Sequence, residues 1–215
     1  MIFTDPPYEL TSKYRITNHA GKKFAHTNDL EYINCTKGID MSICDEFMRV
    51  MKKPNIYIWC NKMQIIPYLN YFVGEHNCKF EILVWIKSNP LPLCGSNYLI
   101  DKEYCLYFRK GIKLHTSYQS AKTYWITPTN QKDKKKYGHP TIKPLNIMET
   151  LIKNSSYPGD LVADPFIGSG TSAAAAIRSG RCFIGVEKNE INYDICLQRL
   201  EESKRDLLSD IKSLS

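Results

Sequence analysis

Residues Asp164–Thr171 read DPFIGSGT and follow directly on the short apolar run Leu161, Val162 and Ala163. A glycine-rich turn that closes an apolar strand and opens a small-residue helix (Ser172–Ser179, closed by Gly180) is a strand-to-helix junction able to bring backbone N–H groups against a ligand. Gly168 and Gly170 permit tight turns and close approach, and the helix behind them offers the positive end of its dipole. A glycine turn alone is also compatible with a plain connection. Support comes from Glu187, in GVEKN at the end of the next strand and 17 residues beyond Gly170. That separation is close to the roughly 20 residues expected for an acid that binds ribose hydroxyls in a mononucleotide-binding unit. No GxxxxGK[ST] sequence occurs, so the expected ligand contains adenosine but need not carry phosphates.

Far upstream, Ile2–Thr4 reads as a short strand leading into Asp5, Pro6, Pro7 and Tyr8 (DPPY). The two prolines fix φ and remove donors, leaving the carbonyl at this turn to accept hydrogen bonds. With the Asp5 carboxylate beside it, two acceptors can grip an exocyclic amine and aim its lone pair at an electrophilic methyl group. Tyr8 supplies a ring on which an extruded base could stack. The plainer alternative is a rigid turn with a satisfied Asp5.

Between these motifs the chain alternates strand and helix signals, which predicts an α/β fold with a mostly parallel sheet. Residues 9–34 are polar and read as a long loop. Asp40 is placed to cap a helix carrying Met41, Cys44, Phe47, Met48 and Met51 on one face. Asn55–Cys60 reads as a buried strand, Lys62–Val73 as a helix, and Phe80–Ile86 and Tyr104–Phe108 as two further strands. A helix is expected from Pro144 to about Asn154, a strand over 160–163, another over 182–186, and an amphipathic helix from Glu190 to about Ser209.

Composition bounds the rest. At 215 residues, 43% hydrophobic and 24% charged, the chain suits one soluble domain with a modest insertion. It has no secretory signal pattern and no run of membrane-span length. Its eight cysteines lie apart, without CxxC or a Cys/His cluster at zinc spacing, so no metal and buried reduced thiols are expected, in a cytoplasmic setting. Of the +7 net charge, +8 falls between Arg109 and Lys143, which leaves the remainder near neutral at −1. There Lys122, Lys132, Lys134, Lys135 and Lys136 alternate with Tyr118, Tyr124, Trp125 and Tyr137. Such a segment is either a solvated loop or a nucleic-acid surface that pairs phosphate-seeking lysines with stacking rings.

Taken together, the motifs resemble the amino-group DNA methyltransferases that carry DPPY and use S-adenosylmethionine. Asp5–Tyr8 match the catalytic motif, residues 139–144 (HPTIKP) match an HPTxKP element, Asp164–Thr171 match a DPFxGSGT donor loop, and Glu187 matches the ribose-binding acid. The order is that of the permuted β class. The resemblance implies a Rossmann-like methyltransferase fold over 1–215, with residues 110–138 as a small target-recognition region. It implies that Asp164, Pro165, Phe166, Gly168, Ser169, Gly170 and Thr171 hold the methionine part of the donor, with Thr141 and Lys143 near its carboxylate. Asp5 and the Pro6 carbonyl would bind the target amine in DNA, and residues 9–34 would close over the flipped nucleotide. The lysines named above, with Tyr124 and Trp125, would contact DNA.

It further implies a bacterial or phage-encoded protein of the restriction–modification type. Adenine N6 is favoured as target because DPPY is common among adenine enzymes; cytosine N4, or a non-catalytic DNA-binding subunit, are the alternatives. Only four residues precede Asp5, whereas members of the class carry about one more strand and helix there. The sheet is therefore expected either to lack a strand or to have that edge covered by a second copy, a partner subunit or a neighbouring segment.

Overall fold

The computed structural model describes residues 1–8, 38–92, 98–139 and 141–214. In chain order its elements are β1 (Ile2–Thr4), α1 (Ser42–Val50), β2 (Asn55–Cys60), α2 (Ile65–Leu69, widening to π-type turns over Asn70–Glu75), β3 (Lys79–Lys87), β4 (Lys102–Arg109) and β5 (Tyr124–Thr127). There follow α3 (Gln131–Tyr137), α4 (Leu145–Ser155), β6 (Leu161–Asp164), α5 (Thr171–Arg178), β7 (Cys182–Gly185) and α6 (Glu190–Leu214). Contacts divide the chain into two units. One comprises Met1–Asp5, Gly111–Lys122 and Asn130–Ser215, the other Pro6–Lys110 and Thr123–Thr129. The loop expected over 9–34 and Pro140 lie outside the described residues.

The first unit is built on three parallel strands in the order β1, β6, β7, with Ile2 in register with Ala163 and Ala163 with Ile184. Parallel neighbours require a crossover, and α5 provides it between β6 and β7. The sequence TSAAAAIR leaves Ala173–Ala176 each at 0% exposure, because α5 packs against α4, α6 and both of those strands. Methyl-sized side chains are what allow a helix to be enclosed so closely. Cys196 of α6 and Ile167 of the glycine turn meet Ala173 in one buried cluster, with Phe183 and Leu200 against it.

The second unit orders its strands β5, β3, β4, β2. The β3–β5 pair is parallel, and the β3–β4 and β4–β2 pairs are antiparallel. β2 is buried along its whole length, as the apolar run over 56–60 predicts. Tyr57 stacks on Tyr107 at 4.0 Å between centroids and Phe72 on Phe108 at 4.5 Å, which fastens β2 and the turns after α2 to β4.

Three local expectations change. The helix expected over 62–73 begins only at Ile65, because the Asn61 side chain accepts from the N–H groups of Met63 and Gln64 and spends those residues in a turn. Asp40 does accept from the Ser42 N–H at 2.9 Å, but the helix starts one residue later than its capping position requires. The segment 110–138, to which the sequence assigned no element, supplies strand β5 and helix α3. The β-forming YWIT run registers with β3, Val84 opposite Tyr124 and Trp85 opposite Trp125. Asn130 caps α3 by accepting from the Asp133 N–H, and Gly138 closes it at φ +65°.

Register provides an internal control on burial, since Phe80 lies opposite Phe108 yet is 43% exposed where Phe108 is 0%. Phe108→Ala is expected to lower stability by roughly 3–5 kcal/mol, and Phe80→Ala by under about 1 kcal/mol. Urea denaturation of both variants followed by circular dichroism checks this; equal losses would refute the assigned core.

Candidate functional site

In the first unit, parallel pairing ends β1 and β6 at the same edge, and the two motifs read from sequence meet there. Thr4, just before Asp5, donates its hydroxyl to Asp164 Oδ1 at 2.6 Å. Ser172, in the first turn of α5, donates to Asp164 Oδ2 at 2.5 Å, and the Phe166 N–H donates to Oδ1 at 3.0 Å. Asp164 is 3% exposed, and burial, aided by the like charge of Asp5, raises its carboxyl to about 6 despite these donors. Asp164 is thus the buried builder of the glycine turn.

The turn itself closes through two glycines in the left-handed region, Gly168 at φ +52° and Gly170 at φ +78°. A Cβ on Gly170 would lie 2.8 Å from Cys196 Sγ, so both backbone angle and space demand glycine. Across the turn, Glu187 Oε2 accepts from the Gly168 N–H at 2.9 Å, and Oε1 accepts from the Asn189 N–H at 2.8 Å. An acid that follows β7 is therefore clamped at the mouth of the turn. Ser169 and Thr171 are buried beneath it, while Pro165 and Phe166 are partly exposed.

Residues before α4 complete this side. Lys143 Nζ lies 2.6 Å from Asp5 Oδ2, with side-chain exposures of 4% and 22%. His139 is buried, and its Nδ1 accepts from the Thr141 N–H at 3.3 Å. Burial, then the charges of Lys143, Arg199 and Lys134, push His139 down to about 4, so it is neutral at physiological pH.

Sequence reasoning missed Arg199. From α6 it donates to Thr171 Oγ1 at 2.7 Å, lies 3.6 Å from Asp133 of α3, and sits over the Tyr137 ring at 5.1 Å. No motif flags it; a charged residue in an amphipathic helix reads as solvated, yet Arg199 is 3% exposed. Thr4 and Ser172 were legible only as small hydroxyl residues flanking the two motifs.

In the second unit, the Pro7 carbonyl accepts from Gln64 Nε2 at 3.3 Å, and the Tyr8 hydroxyl donates to Glu103 Oε2 at 3.4 Å. Glu103 also pairs with Lys87 at 2.7 Å. The prolyl turn and the Tyr8 ring are thereby anchored by side chains that no motif marks.

The residues expected to contact DNA fall in both units. Lys122 and the lysines of α3 belong to the first unit, Tyr124 and Trp125 to the second. Lys122, Lys132 and Lys135 are exposed, whereas Lys136 is engaged by Glu202 at 2.6 Å, which also accepts from Tyr137. Among the described residues no three His, Cys, Asp or Glu side chains could hold a metal, and no helix is long and apolar enough to cross a membrane.

The chain matches the DNA methylase family model (N6_N4_Mtase) over residues 1–198. It is 28% identical to the type II methyltransferase M.HinfI of Haemophilus influenzae, with 100% of this chain covering 66% of that protein. Against M2.DpnII of Streptococcus pneumoniae it is 30% identical, with 94% of this chain covering 82% of the relative. Among solved structures, the M1.HpyAVI–SAM complex superposes with a TM-score of 0.63 at 25% identity, over 93% of this chain and 86% of that one. The fold is the permuted Rossmann-like methyltransferase fold.

The buried His139 carries a pH signature. Its folded value near 4 lies below the unfolded 6.5, so its contribution is complete above pH 6.5 and is lost as pH falls towards 4. Asp164, raised to about 6, works in the opposite sense, gaining relative stability as pH falls from 6 towards 3.8. His139→Gln should remove the first effect alone. Between pH 7.5 and 5, wild type should lose roughly 2 kcal/mol relative to the variant. Urea midpoints at both pH values check this; a constant gap would mean that His139 titrates normally.

Proposed function

We propose that this chain, which belongs to the DNA methylase family, transfers a methyl group from S-adenosylmethionine to the N6 amine of adenine in a short DNA site. The observation that carries the reading is the parallel pairing of β1 with β6, which sets Asp5 beside the glycine turn through the Thr4–Asp164 bond. The residues present fit an adenosine-containing donor. Gly168 and Gly170 give a turn whose backbone can approach a ligand closely, and Glu187 is fixed at its mouth. Each carboxylate oxygen has two lone-pair directions, so Glu187 can accept from ribose hydroxyls while holding the turn. The backbone at Asp164, Phe166 and Gly168 would hold the methionine part, with Thr141 alongside.

The donor supplies an electrophilic methyl carbon on a sulfonium. Asp5 and the Pro6 carbonyl accept from the two amine hydrogens, which turns the nitrogen lone pair towards that carbon, and Tyr8 stacks on the extruded base. As the N–C bond forms, the S–C bond breaks and its electrons stay on sulfur. The amine, briefly cationic beside Asp5, then sheds a proton to water. Positioning and charge carry the step. Aspartate at the head of the motif supports adenine over cytosine, as the resemblance suggests.

Incubating DNA with labelled donor and digesting it to nucleosides should give N6-methyladenine by mass spectrometry. N4-methylcytosine would move the target and keep the mechanism. Asp5→Ala should cut the rate about a hundredfold or more while donor affinity stays within about threefold. Glu187→Ala should weaken donor affinity roughly 10- to 100-fold. An unchanged dissociation constant in the Glu187 variant, measured by calorimetry, would refute the ribose role.

We also infer that α3 and Lys122 contact the phosphate backbone. Replacing Lys132 and Lys135 together by Gln should reduce the salt slope of DNA binding by about 2. Lys136→Gln should change the slope less, because Glu202 already engages that ammonium. Equal slopes for wild type and the double variant would make α3 a solvated helix.

A further inference from the structure

We propose that Lys143 is the positioning residue of Asp5 and acts on the reaction through that carboxylate rather than by binding the donor. The proposal rests on the methyl-transfer reading above. Its first support is distance and burial: Lys143 Nζ stands 2.6 Å from Asp5 Oδ2, and the lysine side chain is only 4% exposed. An ammonium withdrawn that far from water is tolerated only against an opposite charge. Its second support is how the lysine is held. Ile142 before it is 1% exposed, Pro144 after it is buried in extended backbone (ψ 122°), and α4 begins at the next residue. A residue preceding proline is itself confined to extended backbone, so the root of the Lys143 side chain is fixed on both sides.

The third support is the arrangement of charge. Asp5, directly after β1, and Asp164, the last residue of β6, lie at the ends of adjacent parallel strands, and the charge of Asp5 raises the cost of ionising Asp164. The two are neutralised differently. Asp164 receives hydroxyl and amide donors from Thr4, Ser172 and Phe166, whereas Asp5 receives a full positive charge. Neutral donors suit a carboxylate that shapes a turn. A cation suits one that must stay ionised and keep a single orientation while it accepts from an amine. Held at Oδ2, the carboxylate is restrained from turning away from that amine, and small losses of alignment are costly to rate.

This role separates from donor binding by experiment. With the full chain, kcat at saturating donor and the dissociation constant of S-adenosylhomocysteine would be measured for wild type, Lys143→Met, Lys143→Arg, Asp5→Asn and the Asp5→Asn/Lys143→Met pair. Lys143→Met should lower kcat about a hundredfold and leave the S-adenosylhomocysteine constant within about threefold. Lys143→Arg should recover at least about tenfold of that loss, because it restores the charge. The double variant should be no slower than Asp5→Asn alone. That comparison stands even where Lys143→Met alone fails to fold, since the pair removes both charges and leaves neither without its partner. A tenfold or greater rise in the S-adenosylhomocysteine constant with kcat retained would make Lys143 a donor ligand and overturn the proposal. Losses that multiply in the double variant would overturn it too. Absence of methylated base with wild type would instead remove the methyl-transfer reading beneath it, and shows before any variant is made.

Discussion

The buried carboxylate of Asp164 is the constraint on which the first unit turns. Three donors converge on it from three places in the chain: a hydroxyl at the end of β1, a backbone amide inside the glycine turn, and a hydroxyl in the first turn of α5. Each donor fixes the position of a different element relative to the strand that carries Asp164. One residue therefore ties the start of the chain to a turn some 160 positions later. Such a carboxylate is costly to bury, and burial pushes its pKa up to about 6 despite the donors around it. The cost is offset locally because every donor it takes would otherwise need a partner of its own.

Charge in this unit is distributed by role. Asp164 and Glu187 are held by neutral groups and shape the backbone, whereas Asp5 and Asp133 face the cations Lys143 and Arg199. His139 sits near the cations Lys143 and Arg199 and is kept neutral by burial and then by their charge. Arg199 also links the glycine turn, through Thr171, to the basic helix α3, through Asp133 and Tyr137. The helix richest in lysine thus rests on α6 by a buried guanidinium and by Glu202, with its lysines Lys132 and Lys135 exposed.

Much of this was legible in the sequence, and for physical reasons. Glycines that need φ above zero, prolines that forbid it, and unbroken apolar strands are local signals, so DPFIGSGT, DPPY and Asn55–Cys60 could be placed without coordinates. What was hidden is pairing across sequence distance. Nothing in HPTIKP says that its lysine meets Asp5, 138 positions away. Nothing in α6 says that Arg199 points inward. The helix α3 was missed for a different reason: its lysines leave no apolar face, so periodicity is silent and only the caps Asn130 and Gly138 mark its ends. Strand β5 was missed because YWIT is too short to alternate, although its residues favour a sheet.

The four enclosed alanines of α5 have a consequence for how such a chain can diverge. At a surface position, polarity limits substitution and size is nearly unrestricted. At Ala173–Ala176 volume is a limit in its own right, added to the cost of burying a polar group: with no exposed surface on any of them, only glycine or serine adds little or no bulk. Lineages descending from this chain can exchange charges along α3 or rebuild the residues between motifs. Behind the glycine turn, by contrast, they inherit a corridor of one width, and an enlarged side chain there must be matched by a simultaneous reduction on α4 or α6.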